Sequence, residues 1–316
     1  MKNLLKFLKN SKNIAIFTHV NPDPDALGSA VAFYHAMKSL GKNCSIFLHE
    51  LPNEKFSFLN FDCFKIQDDL KEYDLGVALD SSDYKRVAKI EIFKKCVKKI
   101  AIDHHFLHDN FSDYDYVIPS ASSCCEVLFT IFNELKIVIN KDIATALYLG
   151  LAGDTGCFMY DNTSANVHFC AGKLIENGAN FSLINNKIFS EKKFNELLLL
   201  KDFISNIKIY DNIGLGTVLL KDKIKSNCVD YDTTEFVNFV KSIEGVNIAI
   251  LIKQVTRGEY KVSLRSSKGY DVSKLAQTFG GGGHKQASAF LIKMNLKKLK
   301  ESLVSEAKKI RCEDES

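Results

Sequence analysis

Along the first half of the chain, short apolar runs alternate with longer stretches whose apolar positions recur at helical spacing. The runs at 13–19 (NIAIFTH), 44–48 (CSIFL), 74–80 (DLGVALD), 98–103 (KKIAID) and 115–119 (DYVIP) are bounded by turn formers and predict buried strands. Residues 26–41, 122–136, 141–154 and 163–178 carry the three-and-four spacing of helices, and Gly41 stops the first of them. Residues 1–13 read as an amphipathic helix. This alternation predicts an α/β domain over 1–185, with a mainly parallel sheet flanked by helices. From 181 the pattern turns wholly helical, so 186–206 is expected to be a helical connection. Strand-like runs then begin at 207, 215, 246, 259 and 288, and a lysine-rich helix occupies 295–309. The remainder, 207–316, is therefore expected to be a smaller α+β domain.

Composition narrows the class. Hydrophobic residues make up 46% of 316, enough to fill a core, which excludes disorder over the whole chain. No apolar run approaches the roughly 18 residues a membrane span needs. The N-terminus lacks the apolar block and small-residue cleavage site of a signal peptide, so a cytoplasmic protein with no membrane partner is expected. Nine cysteines, an odd number without any CxxC, exclude a disulfide framework and a standard zinc site, leaving reduced thiols. Net charge is only +4, too mild for a dedicated duplex binder. Its distribution is uneven: residues 1–205 hold 23 Lys and Arg against 25 Asp and Glu, and residues 206–316 hold 19 against 13. That asymmetry suits cations in the first part and an anionic substrate reaching the second, although chance variation between solvated faces gives the same numbers.

The candidate chemistry sits at the ends of predicted strands. His19 follows the first strand, Asp80 the third, and Asp103, His104 and His105 the fourth; Asp154 closes a helix in LAGDTG. Open α/β sheets bind ligands outside the carboxyl ends of their strands. In HVNPDPDALGS, Pro22 and Pro24 bias Asn21 and Asp23 toward extended backbone, so Asp23 and Asp25 project the same way. Clustered carboxylates with imidazole suit a hard divalent cation, and without one the carboxylates repel. Taken singly, Asp25 reads as the N-cap of the helix at 26, and His19 as a satisfied polar residue; only the joint placement favours a metal site. His35, His49, His108 and His168 are read as structural or surface residues. In the second half, Arg265 and Ser266 end a predicted strand, and FGGGGHKQASA places four glycines before His284. Gly281, Gly282 and Gly283 fit an anion nest with Arg265 and His284 gripping phosphate; a floppy glycine loop is the plain alternative.

Together, HVNPDPDALGS, ALDSSD, IDHH and GDTG resemble the four motifs of the DHH phosphoesterase family. LRSS and FGGGGHKQASA resemble its DHH-associated C-terminal domain. Length and architecture look most like the stand-alone members that cleave nanoRNA and dephosphorylate 3′-phosphoadenosine-5′-phosphate (pAp). The resemblance implies two Mn²⁺ ions, although the donor set also accepts Mg²⁺ or Co²⁺. One ion would be held by His19, Asp23 and Asp80, the other by Asp25, Asp80, His104 and Asp154, with Asp80 bridging. Asp103 would orient a histidine ligand, and His105 would face the substrate phosphate or assist proton transfer. Arg265, Ser266, Gly281, Gly282, Gly283 and His284 would hold the terminal phosphate or nucleotide. Short single-stranded RNA, single-stranded DNA and pAp are the implied substrates, and a homodimer the implied assembly. The competing readings are a pApA, pGpG or cyclic-dinucleotide phosphodiesterase, a RecJ-like single-strand exonuclease, and a non-catalytic nucleotide sensor. A family II pyrophosphatase shares the N-terminal motifs but not the glycine motif.

Overall fold

The computed structural model describes residues 1–68, 71–229, 231, 233 and 235–310. The chain divides into two compact units, Met1–Glu191 and Lys192–Ser316.

In the first unit the elements are α1 (Lys2–Asn10), β1 (Asn13–Phe17), α2 (Pro24–Ser39), β2 (Asn43–Phe47), β3 (Phe64–Lys65), β4 (Leu75–Leu79), α3 (Ile90–Lys95), β5 (Lys98–Asp103), β6 (Tyr114–Val117), α4 (Cys124–Glu134), α5 (Lys141–Asp154), α6 (Ala165–Glu176) and α7 (Phe181–Ile184). The six strands form one sheet in the order β3-β2-β1-β4-β5-β6, and every pair is parallel. Strand alternation splits the core. Ile14 and Ile16 of β1 point into the larger cluster with α1, α2, α4 and α5, while Ala15 and Phe17 point into a second cluster with Phe47 and Phe93. With both faces covered, the strands read as continuous apolar runs. The chain runs outward through β2 and β3 on one side of β1 and through β4, β5 and β6 on the other. The crevice outside β1 and β4 is therefore the switch point of the sheet.

Two close helix contacts shape that crevice. A Cβ at Gly28 of α2 would strike the Ala146 carbonyl of α5, and one at Gly150 of α5 would strike the Asp25 carboxylate and Cys125 Sγ. One at Gly153 would lie 2.7 Å from Pro24 Cβ. These glycines let α5 lie against the start of α2, which carries Asp154 toward Asp25.

The second unit contains α8 (Phe194–Ser205), β7 (Lys208–Tyr210), β8 (Ile213–Val218), α9 (Leu220–Lys225), α10 (Phe236–Lys241), β9 (Ile248–Thr256), β10 (Glu259–Ser266), α11 (Val272–Thr278), β11 (Gly282–His284), β12 (Ala287–Lys293) and α12 (Leu296–Ala307). Its sheet runs β11-β12-β10-β9-β8-β7; β8 and β9 are parallel and the other pairs antiparallel. Ile248, Ile250 and Ile252 pack with α11 and α12, and Ala249 and Leu251 pack with α8 and α10. The stretch expected as a connector is divided. A wide π-type turn at 185–190 ends the first unit, and α8 belongs to the second, where Leu199 and Phe203 are buried. The helices at 220–225, 236–241 and 272–278 were not legible because six or seven residues hold too few turns to show a period.

Among the described residues no cysteine is disulfide-bonded; Cys312 lies outside them. No described helix is long and apolar enough to cross a membrane.

Gly150→Ala gains about 1 kcal/mol of helix propensity but overpacks a buried contact, which costs about 1–3 kcal/mol, so a net loss in urea unfolding is expected. Gly172→Ala is the control. It lies inside α6 with nothing near its would-be Cβ, and it should gain up to about 1 kcal/mol. A Gly150→Ala midpoint at or above wild type would contradict the close-contact account.

Candidate functional site

His19, Asp23, Asp25, Asp80, His104 and Asp154 converge at the switch-point crevice. His19 lies just beyond β1. Its Nδ1 donates to the Val20 carbonyl at 2.8 Å, because a carbonyl only accepts, and this turns Nε2 with its lone pair inward. That nitrogen is 3.7 Å from Asp23 Oδ2 and 4.0 Å from Asp80 Oδ2. His104 is arranged in the same way. Its Nδ1 faces the Ala121 carbonyl at 3.4 Å, and its Nε2 lies 3.2 Å from Asp154 Oδ2, 3.5 Å from Asp80 Oδ1 and 3.9 Å from Asp25 Oδ2. Asp80 thus shows one oxygen to each imidazole.

Each carboxylate is set by local backbone. Asp23, not Asp25, is the N-cap of α2: its Oδ1 accepts from the amides of Asp25 and Ala26, both at 3.0 Å. The single-residue reading of Asp25 as the cap is corrected accordingly. Asp25 is fully buried, and its two oxygens accept from the amides of Cys124 at 2.6 Å and Cys125 at 3.0 Å, where α4 begins. The helix N-terminus favours this negative charge. Asp80 takes a left-handed backbone (φ 55°), which Asp tolerates better than most residues. Asp154 is the last residue of α5.

The donor set fits divalent cations. Groups of ligand atoms within 4.8 Å of one another comprise His19, Asp23 and Asp80; Asp25, His104 and Asp154; and Asp80, Asp103, His104 and His105. Bonds of about 2.1 Å place neighbouring ligand atoms about 3–3.4 Å apart, close to the spacings around His104. Asp80 Oδ1 and His104 Nε2 are buried 3.5 Å apart without a well-formed hydrogen bond among the described residues, so a proton on His104 or a bound cation must lie between the two electron pairs. Electrostatics agree. Burial, then the charges of Asp80 and Asp154, push Asp25 well above the usual carboxylate range, and burial also raises Asp80. Burial opposes the charge of His104, but Asp154 and Asp80 outweigh it and raise its pKa to about 11.

Asp103 plays a different part. It is wholly buried and accepts from the amides of His104 (2.8 Å) and His105 (3.4 Å), and from His105 Nδ1 and His108 Nδ1, both at 2.7 Å. Burial raises its pKa, but the bonds to the two imidazoles overcome this and hold it far below the usual range. His105 is 44% exposed and lies 3.7 Å from Asp80 Oδ1. Of the two readings of His108, structural or surface, the surface one is corrected: the residue is buried between two carboxylates. Its Nε2 also meets Asp115 Oδ1 at 3.2 Å, and its side chain is only 4% exposed. The signal available in the sequence was a histidine three residues beyond the DHH run, in a loop rich in aspartate.

In the second unit, Arg265 of β10 and His284 of β11 both stand opposite Ala287 of β12. Opposite residues share a face, so the two side chains lie on one face about 10 Å apart. Ser266 Oγ donates to the Tyr270 carbonyl at 2.6 Å, so its proton closes a local loop. The glycines are not a free nest. Gly282 and Gly283 are part of the edge strand β11. A Cβ at Gly281 would strike Phe290 and the Ala289 carbonyl; at Gly283 (φ 141°) it would lie 2.5 Å from the Ala287 carbonyl. Gly281 and Gly283 are therefore glycine so that this edge can lie flat on β12, while Gly282 faces open space.

At pH 7.5 the metal-free site should hold a proton on His104 that a cation must displace. Calorimetric titration with Mn²⁺ in buffers of different ionisation enthalpy should show about one proton or more released, and affinity should rise with pH. Proton uptake, or affinity independent of pH between 6 and 8, would contradict this.

Comparison with known proteins agrees with the geometry. The DHH family N-terminal domain matches residues 13–151 and the DHHA1 domain residues 220–310. A Bacillus subtilis protein named bifunctional oligoribonuclease and PAP phosphatase NrnA is 27% identical over 90% of this chain and 91% of its own. A Streptococcus mutans protein named as its probable counterpart is 29% identical over 91% of this chain and 92% of its own. A crystal structure of an exopolyphosphatase-related protein from Bacteroides fragilis superposes with a TM-score of 0.87 at 25% identity, covering 97% of this chain and 96% of that one. The first unit thus carries a DHH family N-terminal domain and the second a DHHA1 domain.

Proposed function

We propose that this protein is a divalent-metal phosphoesterase that hydrolyses very short RNA to mononucleotides and pAp to AMP and phosphate. The observation that carries this reading is Asp80, which lies between two imidazole nitrogens and faces each with a different oxygen. The names of relatives matching about nine-tenths of the chain support the substrate class. Two Mn²⁺ ions fit the donor set best in our reading, one with His19, Asp23 and Asp80, the other with Asp25, Asp80, His104 and Asp154. Such ions supply Lewis acidity at phosphorus and a water acidified toward neutral pH.

The chain's own residues do the rest. Val20 and Ala121 carbonyls fix both ligand imidazoles with Nε2 inward. Asp25 is held by the α4 amides, so it need not reorganise when the site is loaded. His105 has Nδ1 engaged by Asp103, so its half-exposed ring offers Nε2 to a phosphate oxygen or to the leaving hydroxyl. Arg265 and His284, on one face of the second sheet, are suited to grip a terminal phosphate of an anionic substrate. Neither contact reads a base edge, so cleavage without sequence preference follows.

Asp80→Ala should abolish turnover, because both ligand groups lose a member; near-normal activity would sink the reading. Arg265→Ala should mainly raise KM, since a grip on a remote phosphate is made about equally in ground and transition states. The substrate assay uses 5′-phosphorylated RNA of about two to twenty-four nucleotides, pAp and pApA, with Mn²⁺ or with EDTA. Metal-dependent cleavage of dimers and pAp that fades with length is the expected result. Efficient digestion of the longest strands would favour a RecJ-like exonuclease, and strong preference for pApA a signalling-dinucleotide phosphodiesterase.

A further inference from the structure

Behind the ligand set lies a buried chain of alternating carboxylates and imidazoles. Asp115, on β6, meets His108 Nε2 at 3.2 Å; His108 Nδ1 meets Asp103 Oδ2 at 2.7 Å; Asp103 Oδ1 meets His105 Nδ1 at 2.7 Å. Ser112 Oγ donates to Asp115 at 3.0 Å, and the His108 ring stacks on Phe111 with centroids 5.2 Å apart. Only His105, at the end of this chain, is substantially exposed.

The arrangement resolves a geometric problem. The Asp103 carboxylate is held on Oδ1 by the His104 and His105 amides, and its terminal torsion, broad and two-fold by nature, gains a hold on the Oδ2 side from His108. His108 takes Oδ2 and so leaves Oδ1 directed at His105. An imidazole whose Nδ1–H is bound to a fixed acceptor keeps one tautomer and one ring orientation. Burial opposes charge on His108, but Asp103 and Asp115 prevail and lift its pKa to about 9, consistent with an imidazolium donating to both. Stability alone does not ask for this group: an apolar side chain stacked on Phe111, with both carboxylates also replaced, is often neutral or better.

We propose that His108 is a positioning residue, anchored by Asp115 and acting through Asp103 to fix the tautomer and orientation of His105. The catalytic consequence rests on the phosphoesterase reading; the structural one does not.

The test uses the full chain and four proteins: wild type, His108→Phe, His108→Ala and His108→Asn. Phenylalanine and alanine remove the donor to Asp103, and asparagine retains one. Nitrogen-15 imidazole spectra of Mg²⁺-loaded protein read the His105 tautomer without any substrate. In His108→Phe or His108→Ala, His105 should show both tautomers, and kcat should fall about ten-fold with KM and Mn²⁺ affinity changed less than about two-fold. His108→Asn should restore the single tautomer and most of kcat. An unchanged His105 spectrum in either donor-less variant overturns the proposal. So does a loss of Mn²⁺ affinity as large as the loss of kcat, or failure of both donor-less variants to fold, since each marks a purely structural role. A wild type with no turnover would instead count against the phosphoesterase reading, and the spectra would still decide on His108.

Discussion

Bringing five carboxylates, three of them buried, to one crevice is the constraint around which the first domain is organised. A carboxylate removed from water needs donors or cations, and each of these has a separate solution in the backbone. Asp23 takes the first amides of α2 and Asp25 the first amides of α4. Asp103 takes two amides and two imidazoles. Asp80 and Asp154 have no such amide cradle among the described hydrogen bonds, and they are the pair nearest His104 Nε2. The residues short of backbone donors are thus the ones best placed to need a cation.

The parallel sheet makes this convergence economical. Strand ends at β1, β4 and β5 deliver His19, Asp80 and the Asp103–His105 run to one edge, whatever their separation in sequence. The helices complete it only because α5 can approach α2 to backbone distance, through glycines at 28, 150 and 153. The same residue type has a comparable use in the second domain, where Gly281 and Gly283 allow the edge strand to pack on β12.

Much of the first domain was legible in the sequence. A buried parallel strand is a continuous apolar run, and the helix at 141–154 has the bounds its periodicity suggested. The candidate ligand residues that converge in the structure were legible jointly, because three follow predicted strands. The role of His108 was not legible, since its partners Asp103 and Asp115 lie on neighbouring strands β5 and β6, paired at Ala101–Asp115 and Asp103–Val117. Nor was the strand nature of GGGGH, because glycine has no side chain to show a two-residue period. The Asp25 cap failed for a local reason: proline at 24 starts the helix two residues early, so Asp23 caps it.

The start of α4 has one further consequence. Cys124 and Cys125 lend their amides to Asp25, yet their thiols turn to backbone carbonyls, Cys124 Sγ to Ile102 and Cys125 Sγ to Asp25 and Ala146. Burial, and then the neighbouring Asp25 charge, push both thiols well above their ordinary range. A thiolate is the form that captures soft ions and reacts with oxidants. Burial, reinforced by the acidic centre, therefore favours the protonated form of the two sulfurs beside it. Among the described residues the centre presents carboxylate oxygen and imidazole nitrogen rather than thiolate, a donor set that suits hard cations over thiophilic ones.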